Sequence, residues 1–131
     1  MSTSDFTLSK AERISRKLVI DKLFTKGTSF VVYPIRVVYV TSTEEQEAQA
    51  AMMVSVSKKK FKRAVKRNYI KRRVKEAYRL NKHLLQIPES VGNISIAFIY
   101  LSGGFKSFDS LNQKMEEIML QLNEKLCSEN S

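Results

Sequence analysis

The stretch "SKKKFKRAVKRNYIKRRVKEAYR", Ser57 to Arg79, carries twelve basic side chains and one acid, Glu76. It begins where a strand ends. In "AAMMVSVS", Met52, Val54 and Val56 alternate with Met53, Ser55 and Ser57, the two-residue period of a strand with one better buried face. From about Phe61 to Leu85 no Gly or Pro interrupts the chain, and Ile70, Val74, Ala77, Tyr78, Leu84 and Leu85 recur at helical intervals. The pattern predicts the longest helix of the protein, closed by Pro88 and Gly92.

At about 100° per residue, Asn68, Lys71, Arg72, Lys75, Arg79 and Lys82 share one arc of this helix, away from the apolar arc of Ile70, Val74, Ala77 and Leu84. One face is expected to pack on a sheet and the other to form a cationic ridge. Toward the N-terminus the apolar stripe gives way to Arg63, Lys66 and Arg67, which places that end at the edge of the core. Lys58, Lys59, Lys60 and Lys62 add charge at the strand exit, where free backbone N–H groups and the positive helix end favour phosphate. Arginine forks bind phosphate through paired hydrogen bonds, and Asn68 can meet a base or sugar edge or fix a neighbouring Arg.

The whole chain has 131 residues and a formal charge of +10, yet outside this segment eleven basic residues face twelve acidic ones. A nearly neutral domain thus carries one basic device, which points to a polyanion, nucleic acid before an anionic membrane. A zipper-type DNA helix would continue into heptads, whereas this one ends at Pro88. A membrane-surface helix needs a broad exposed apolar face, and here that face is required for the core. No run approaches the roughly 20 apolar residues that span a bilayer, and "MSTSDFTLSKAERISRK" lacks an apolar leader core. With Cys127 the single cysteine, a reducing, cytoplasmic setting is expected.

Around the basic segment, "SRKLVIDKLFTKG" predicts a first helix from Ser15 to about Lys26 with Gly27 as C-cap. "SFVVYPIRVVYVTS" predicts a strand from about Ile35 to Thr41, with Pro34 at its entrance or in a bulge. The acidic "TEEQEAQ" is read as a loop joining that strand to the next in an antiparallel hairpin. "NISIAFIYLS" is apolar on both faces, as in a central strand, and Gly103-Gly104 marks a turn. Leu111, Met115, Ile118, Met119, Leu122 and Leu126 predict an amphipathic C-terminal helix. The expectation is one α+β domain over residues 1–131, a small α/β sandwich of order α-β-β-α-β-α, with loose ends at 1–12 and 127–131.

Hydrolysis of an RNA phosphodiester needs clustered carboxylates with Mg²⁺ or a His acid/base pair. His83 is the one histidine, placed near the end of the long helix, and Asp21, Glu44, Glu45, Glu47, Glu76 and Asp109 show no metal-ligand spacing. A protein-borne catalytic set and a protein-bound metal are therefore not expected.

The segment "SVSKKKFKRAVKRNYIKRRVKEAYR" resembles the signature of the bacterial ribonuclease P protein family. The matching positions are Ser57-Lys58-Lys59, Ala64-Val65 and Arg67-Asn68-Tyr69-Ile70-Lys71-Arg72. "LVIDKLFTKGTSF" is similar to the family's first helix and "IRVVYV" to its first strand, so the resemblance covers about Ser9 to Lys125. Tyr69 departs from it, standing where the family has a second Arg. Two readings of Tyr69 stay open: a tolerated substitution among many cations, or a stacking surface for a base.

The resemblance implies a ribosomal-protein-S5-domain-2-like fold with a left-handed crossover around the basic helix. It also implies a noncatalytic subunit that assists Mg²⁺-dependent removal of the 5′ leader of precursor tRNA, with catalysis and most of the Mg²⁺ in the RNA subunit. The RNA-binding set would be Lys58, Lys59, Lys62, Arg63, Lys66, Arg67, Asn68, Lys71, Arg72 and Lys75. A cleft between first helix and sheet would hold the single-stranded leader against Ile20, Phe24, Arg36 and Tyr39. The partners implied are the catalytic RNA and the precursor leader. A ribosome-associated or structured-RNA-binding module shares the basic helix and the small fold, and a stand-alone nuclease would cleave without added RNA.

Overall fold

The computed structural model describes residues 17–42 and 49–129. The expected loose segment 1–12 and most of the acidic loop lie outside them. The elements run α1 (Lys17–Lys26), β1 (Thr28–Val32), β2 (Ile35–Ser42), β3 (Ala50–Val56), α2 (Ala64–Asn81), a 3₁₀ turn (Lys82–Leu84), β4 (Asn93–Tyr100) and α3 (Phe108–Glu129). Among the described residues no helix is long and apolar enough to cross a membrane. The α+β sandwich holds, with two corrections to its strands and one at its end.

First, the order gains a strand. Thr28–Val32 pairs antiparallel with β2, from Thr28 opposite Tyr39 to Val32 opposite Ile35, so Tyr33 and Pro34 form the tight turn between them. The peptide bond between those two residues is cis. Pro34 does stand at the entrance of β2, but the β-branched run before it pairs back instead of remaining an irregular lead-in. Second, β2 and β3 are not a hairpin. The sheet order is β1-β2-β4-β3, with β4 antiparallel to β2 and parallel to β3. β4 is apolar on both faces, and only the interior of the sheet buries both, so it inserts between the other two. Third, α3 continues through Glu129, past Cys127, where a loose tail was expected to begin.

Strand parity divides the core in two. Ile35, Val37 and Tyr39 of β2, Met52, Val54 and Val56 of β3 and Ile94, Ile96, Phe98 and Tyr100 of β4 face α2 and α3. Into this layer α2 delivers Ile70, Val74, Ala77 and Tyr78, while α3 delivers Leu111, Met115, Ile118, Met119, Leu122 and Leu126. Complete burial of each large side chain of this kind is worth about 1.5–3 kcal/mol, so this layer dominates the stability. On the other face a small cluster of Leu23, Val38 and Ala97 holds α1, flanked by Val40, Met53 and Ile99.

Gly27 fits the end of α1 for a reason other than a left-handed backbone. Its N–H donates to the Leu23 carbonyl at 3.0 Å, and a Cβ there would lie against that carbonyl and 2.7 Å from Val38 Cγ1. α1 turns into β1 so close to the sheet that no side chain fits.

Candidate nucleic-acid interface

The basic segment is built in three pieces. A turn of Lys58, Lys59 and Lys60 leaves β3, closed by the Phe61 N–H donating to the Ser57 carbonyl at 3.1 Å and the Lys59 N–H donating to Ser57 Oγ at 3.1 Å. Phe61 then drops into the core at 5% exposure, beside Tyr100 and Phe105. Because Phe61 is pinned there and Arg63 is extended (φ −83°, ψ 129°), the helix starts at Ala64, not at Phe61 as its periodicity suggested. Lys58, Lys59, Lys60, Lys62 and Arg63 therefore ride on an exposed loop.

Arg67 ties this loop to the helix. Its Nη1 donates to the Phe61 carbonyl at 2.8 Å and the Lys62 carbonyl at 2.9 Å. Beyond it, Ile70, Val74 and Ala77 turn into the core, while Asn68 and Arg72 are exposed and Lys71 and Lys75 half-buried. The ridge expected from angular spacing is present on the outer side. At the helix start Ala64, Val65 and Lys66 are all exposed, Val65 at 77%, so this end overhangs the core. Glu76 sits between Arg73, 3.6 Å away, and Arg79, 3.4 Å away, at the surface. The acid offsets two arginines and leaves the Lys71, Arg72 and Lys75 side of the ridge uniformly positive.

Tyr69 is packed on two sides. Its ring meets Phe105 edge-on at 5.5 Å between centroids, and the Arg73 guanidinium lies 5.1 Å from its centre. The tyrosine thus links α2 to the loop after β4. That loop is tied down again by Lys60 Nζ, which donates to the Leu101 carbonyl, and by the Tyr100 hydroxyl, which donates to the Gly104 carbonyl at 2.5 Å. Burial pushes the Tyr100 hydroxyl upward from its ordinary value, favouring the protonated form that donates. Gly103-Gly104 forms the turn its sequence predicts, and Phe105, to which the sequence pattern assigns no role, is 52% exposed beside the basic loop. The signal available was a phenylalanine directly after a Gly pair, where no core position was predicted.

The residues expected in a cleft beside α1 are not all together. Ile20 and Phe24 lie one turn apart on α1, Ile20 half-buried and Phe24 51% exposed. Arg36 is exposed on the sheet face that carries α1, where its Nη2 donates to Ser29 Oγ at 3.4 Å. Val31, opposite Arg36 in the ladder, is 54% exposed on the same face. Tyr39 is on the other face. It is 2% exposed, packed against Phe30 at 6.3 Å in the layer under α2 and α3. The physical reason is strand alternation: moving one residue along β2 crosses the sheet, so Val38 and Val40, not Tyr39, face α1.

His83 is exposed in the 3₁₀ turn that follows α2. Among the described residues no three His, Cys, Asp or Glu side chains come together in a group able to hold a metal ion.

Comparison with known proteins bears on the family and the fold. The family model described as Ribonuclease P matches residues 8–123. The "Ribonuclease P protein component" of Porphyromonas gingivalis is 44% identical over 123 residues, covering 92% of this chain and 90% of its own length. The protein of the same description from Chlorobium phaeobacteroides is 31% identical over 125 residues, covering 86% of each. Among solved structures, the RNase P protein of Staphylococcus aureus superposes with a TM-score of 0.66 at 23% identity, over 86% of this chain and 95% of that one. That of Thermotoga maritima gives 0.65 at 20% identity, over 84% and 96%. The last two establish the likeness of fold, and the family match with the relatives above 30% identity establishes kinship: the chain belongs to the Ribonuclease P protein family.

Proposed function

We propose that the chain is the protein subunit of a ribonuclease P ribonucleoprotein, binding the catalytic RNA and the 5′ leader of precursor tRNA while the RNA performs the cleavage. The observation that carries the reading is the segregation of charge. Lys58, Lys59, Lys62, Arg63, Lys66, Asn68 and Arg72 stand exposed on one loop and helix whose opposite face is the core. A rigid array of this kind neutralises phosphates of a folded RNA and releases their counterions. Arg67 positions the array by fixing its loop, and Lys71 and Lys75 extend it along α2.

The open α1 face of the sheet, with Ile20, Phe24 and Arg36, is the surface suited to a single-stranded leader. Half-exposed apolar groups on the side of the sheet that also carries a guanidinium offer surfaces for bases and a charge for phosphate. In this reading Mg²⁺ is held mainly by the RNA, whose crowded phosphates need counter-charge. The protein lowers the Mg²⁺ requirement by supplying fixed positive charge where RNA phosphates crowd together. The test is cleavage of precursor tRNA by the cognate RNA across a Mg²⁺ titration, with and without the protein. A shift of the midpoint to lower Mg²⁺ is expected, and superimposable curves would refute the reading.

A further inference from the structure

Between the Lys58–Arg63 loop and the Gly103–Phe105 loop lies an open cavity of about 320 Å³. The ring of Phe105 walls it, half-exposed, yet oriented by two neighbours: Phe61 at 5.7 Å and Tyr69 edge-on at 5.5 Å. Lys60, Lys62, Arg63 and Lys66 stand on its rim, and none of its lining residues is acidic. Gly103 and Gly104 contribute bare backbone, and a Cβ at either would meet nothing within 4 Å.

Four cations at the rim would suit any anion. A phosphate alone gains nothing from the aromatic wall, however, and leaving a phenylalanine half in water costs burial that the adjacent core could have supplied. Charge beside an oriented ring matches a ligand that is anionic at one end and flat and apolar at the other. The volume lies at the small end of ligand pockets, suited to one such unit and not a peptide chain. We propose that this cavity binds a single unpaired nucleotide of the RNA, its base stacked on Phe105 and its phosphate between Arg63 and Lys66. The inference rests on the RNA-binding reading above and adds to the N-terminal end of that basic array an aromatic subsite walled by Phe105.

The protein contains no tryptophan, so Phe105→Trp introduces a unique fluorophore at the wall. Titration of this variant with a short single-stranded oligoribonucleotide should quench its emission saturably, whereas heparin, a polyanion without bases, should leave it nearly unchanged. Phe105→Leu should lower affinity for the oligonucleotide about fivefold or more, the loss of one base–aromatic stack, and Phe105→Tyr should retain it. Gly103→Leu, which adds a bulky side chain at a lining position where a Cβ meets nothing within 4 Å, should lower affinity for the oligonucleotide without altering the thermal midpoint. Quenching by the catalytic RNA, or only by leader-bearing precursor, supports the proposal and identifies which RNA supplies the nucleotide. Equal quenching by heparin or polyglutamate, or RNA binding with no quenching, overturns it. Because this readout requires no cleavage, failure of the Mg²⁺ titration and failure of the cavity are separately visible.

Discussion

Arg67 Nη1 lies 2.8 Å from the carbonyl oxygen of Phe61, and the same nitrogen donates to the Lys62 carbonyl at 2.9 Å. One guanidinium therefore shapes the loop that displays the other cations. Arg67→Ala should cost about 1–2 kcal/mol in urea denaturation, the scale of lost hydrogen bonds from a charged donor at a partly exposed site. It should also weaken RNA binding. Arg72→Ala, at an exposed position, should change stability by less than about 0.5 kcal/mol while lowering the slope of log Kd against log salt by about one. Equal stability of the two variants would show that Arg67 is only another phosphate contact.

Glu76 makes the opposite prediction. It holds Arg73 and Arg79 at 3.6 and 3.4 Å near the surface, where such pairs contribute at most about 1 kcal/mol. Glu76→Gln should scarcely alter the fold but free two arginines, giving tighter RNA binding and a steeper salt dependence in filter-binding titrations. Weaker binding would mean that the acid orients those arginines toward RNA instead of withholding them.

Gly27 joins α1 to the sheet at a distance only a glycine tolerates. Gly27→Ala should destabilise by about 1–3 kcal/mol, the usual cost of forcing atoms into a filled site, because the new methyl meets the Leu23 carbonyl and Val38 Cγ1. Since α1 must lift to make room, affinity for leader-bearing RNA should fall more than affinity for mature tRNA. Unchanged stability would place α1 farther from β2 than the structure has it.

Much of this arrangement was legible in the chain, and the exceptions have physical causes. The ridge of Asn68, Lys71 and Arg72 follows from helical spacing, because the same helix must bury Ile70, Val74 and Ala77. The central place of β4 was visible in its two apolar faces. That reading already conflicted with a β2–β3 hairpin, since one strand cannot lie between two that are paired, and pairing partners are set by long-range packing that local pattern does not report. Similarly, Lys58–Arg63 has helical composition but is held as a loop by the burial of Phe61, a tertiary effect overriding local propensity. The cavity beside Phe105 joins residues about 40 positions apart in sequence, so no window of the chain contains it.

Asn81 provides a test of how α2 and α3 are locked. It is 7% exposed, and its Nδ2 donates to the Ala77 carbonyl at 2.8 Å and to Asn112 Oδ1 at 2.7 Å. Asn81→Ala should cost about 1–3 kcal/mol by leaving acceptors unsatisfied. Asn81→Asp should cost more, since a carboxylate would face two oxygen acceptors. A double-mutant cycle with Asn112→Ala should show coupling of at least about 0.5 kcal/mol in denaturant unfolding. Strict additivity would mean that the two amides contribute independently.

Phe24 and Tyr39, both expected from the resemblance to line one cleft, lie on different sides of the sheet: Phe24 is half-exposed on α1, and Tyr39 is packed in the layer under α2 and α3. Phe24 is half-exposed on α1, so Phe24→Ala should leave the thermal midpoint nearly unchanged while weakening binding of leader-bearing precursor by about 1–3 kcal/mol, the range for one base–aromatic stack. Binding of mature tRNA, which lacks the leader, should not respond. Tyr39 is enclosed beside Phe30, so Tyr39→Ala should cost about 3–5 kcal/mol of stability, as for other buried aromatic truncations. The decisive variant is Tyr39→Leu, which keeps an apolar side chain for the core and removes the ring on which a base would stack. With the native ring facing α3 the variant should not discriminate precursor from mature tRNA, and a leader-specific loss in that variant would put Tyr39 in the cleft and reverse the register assigned to β2.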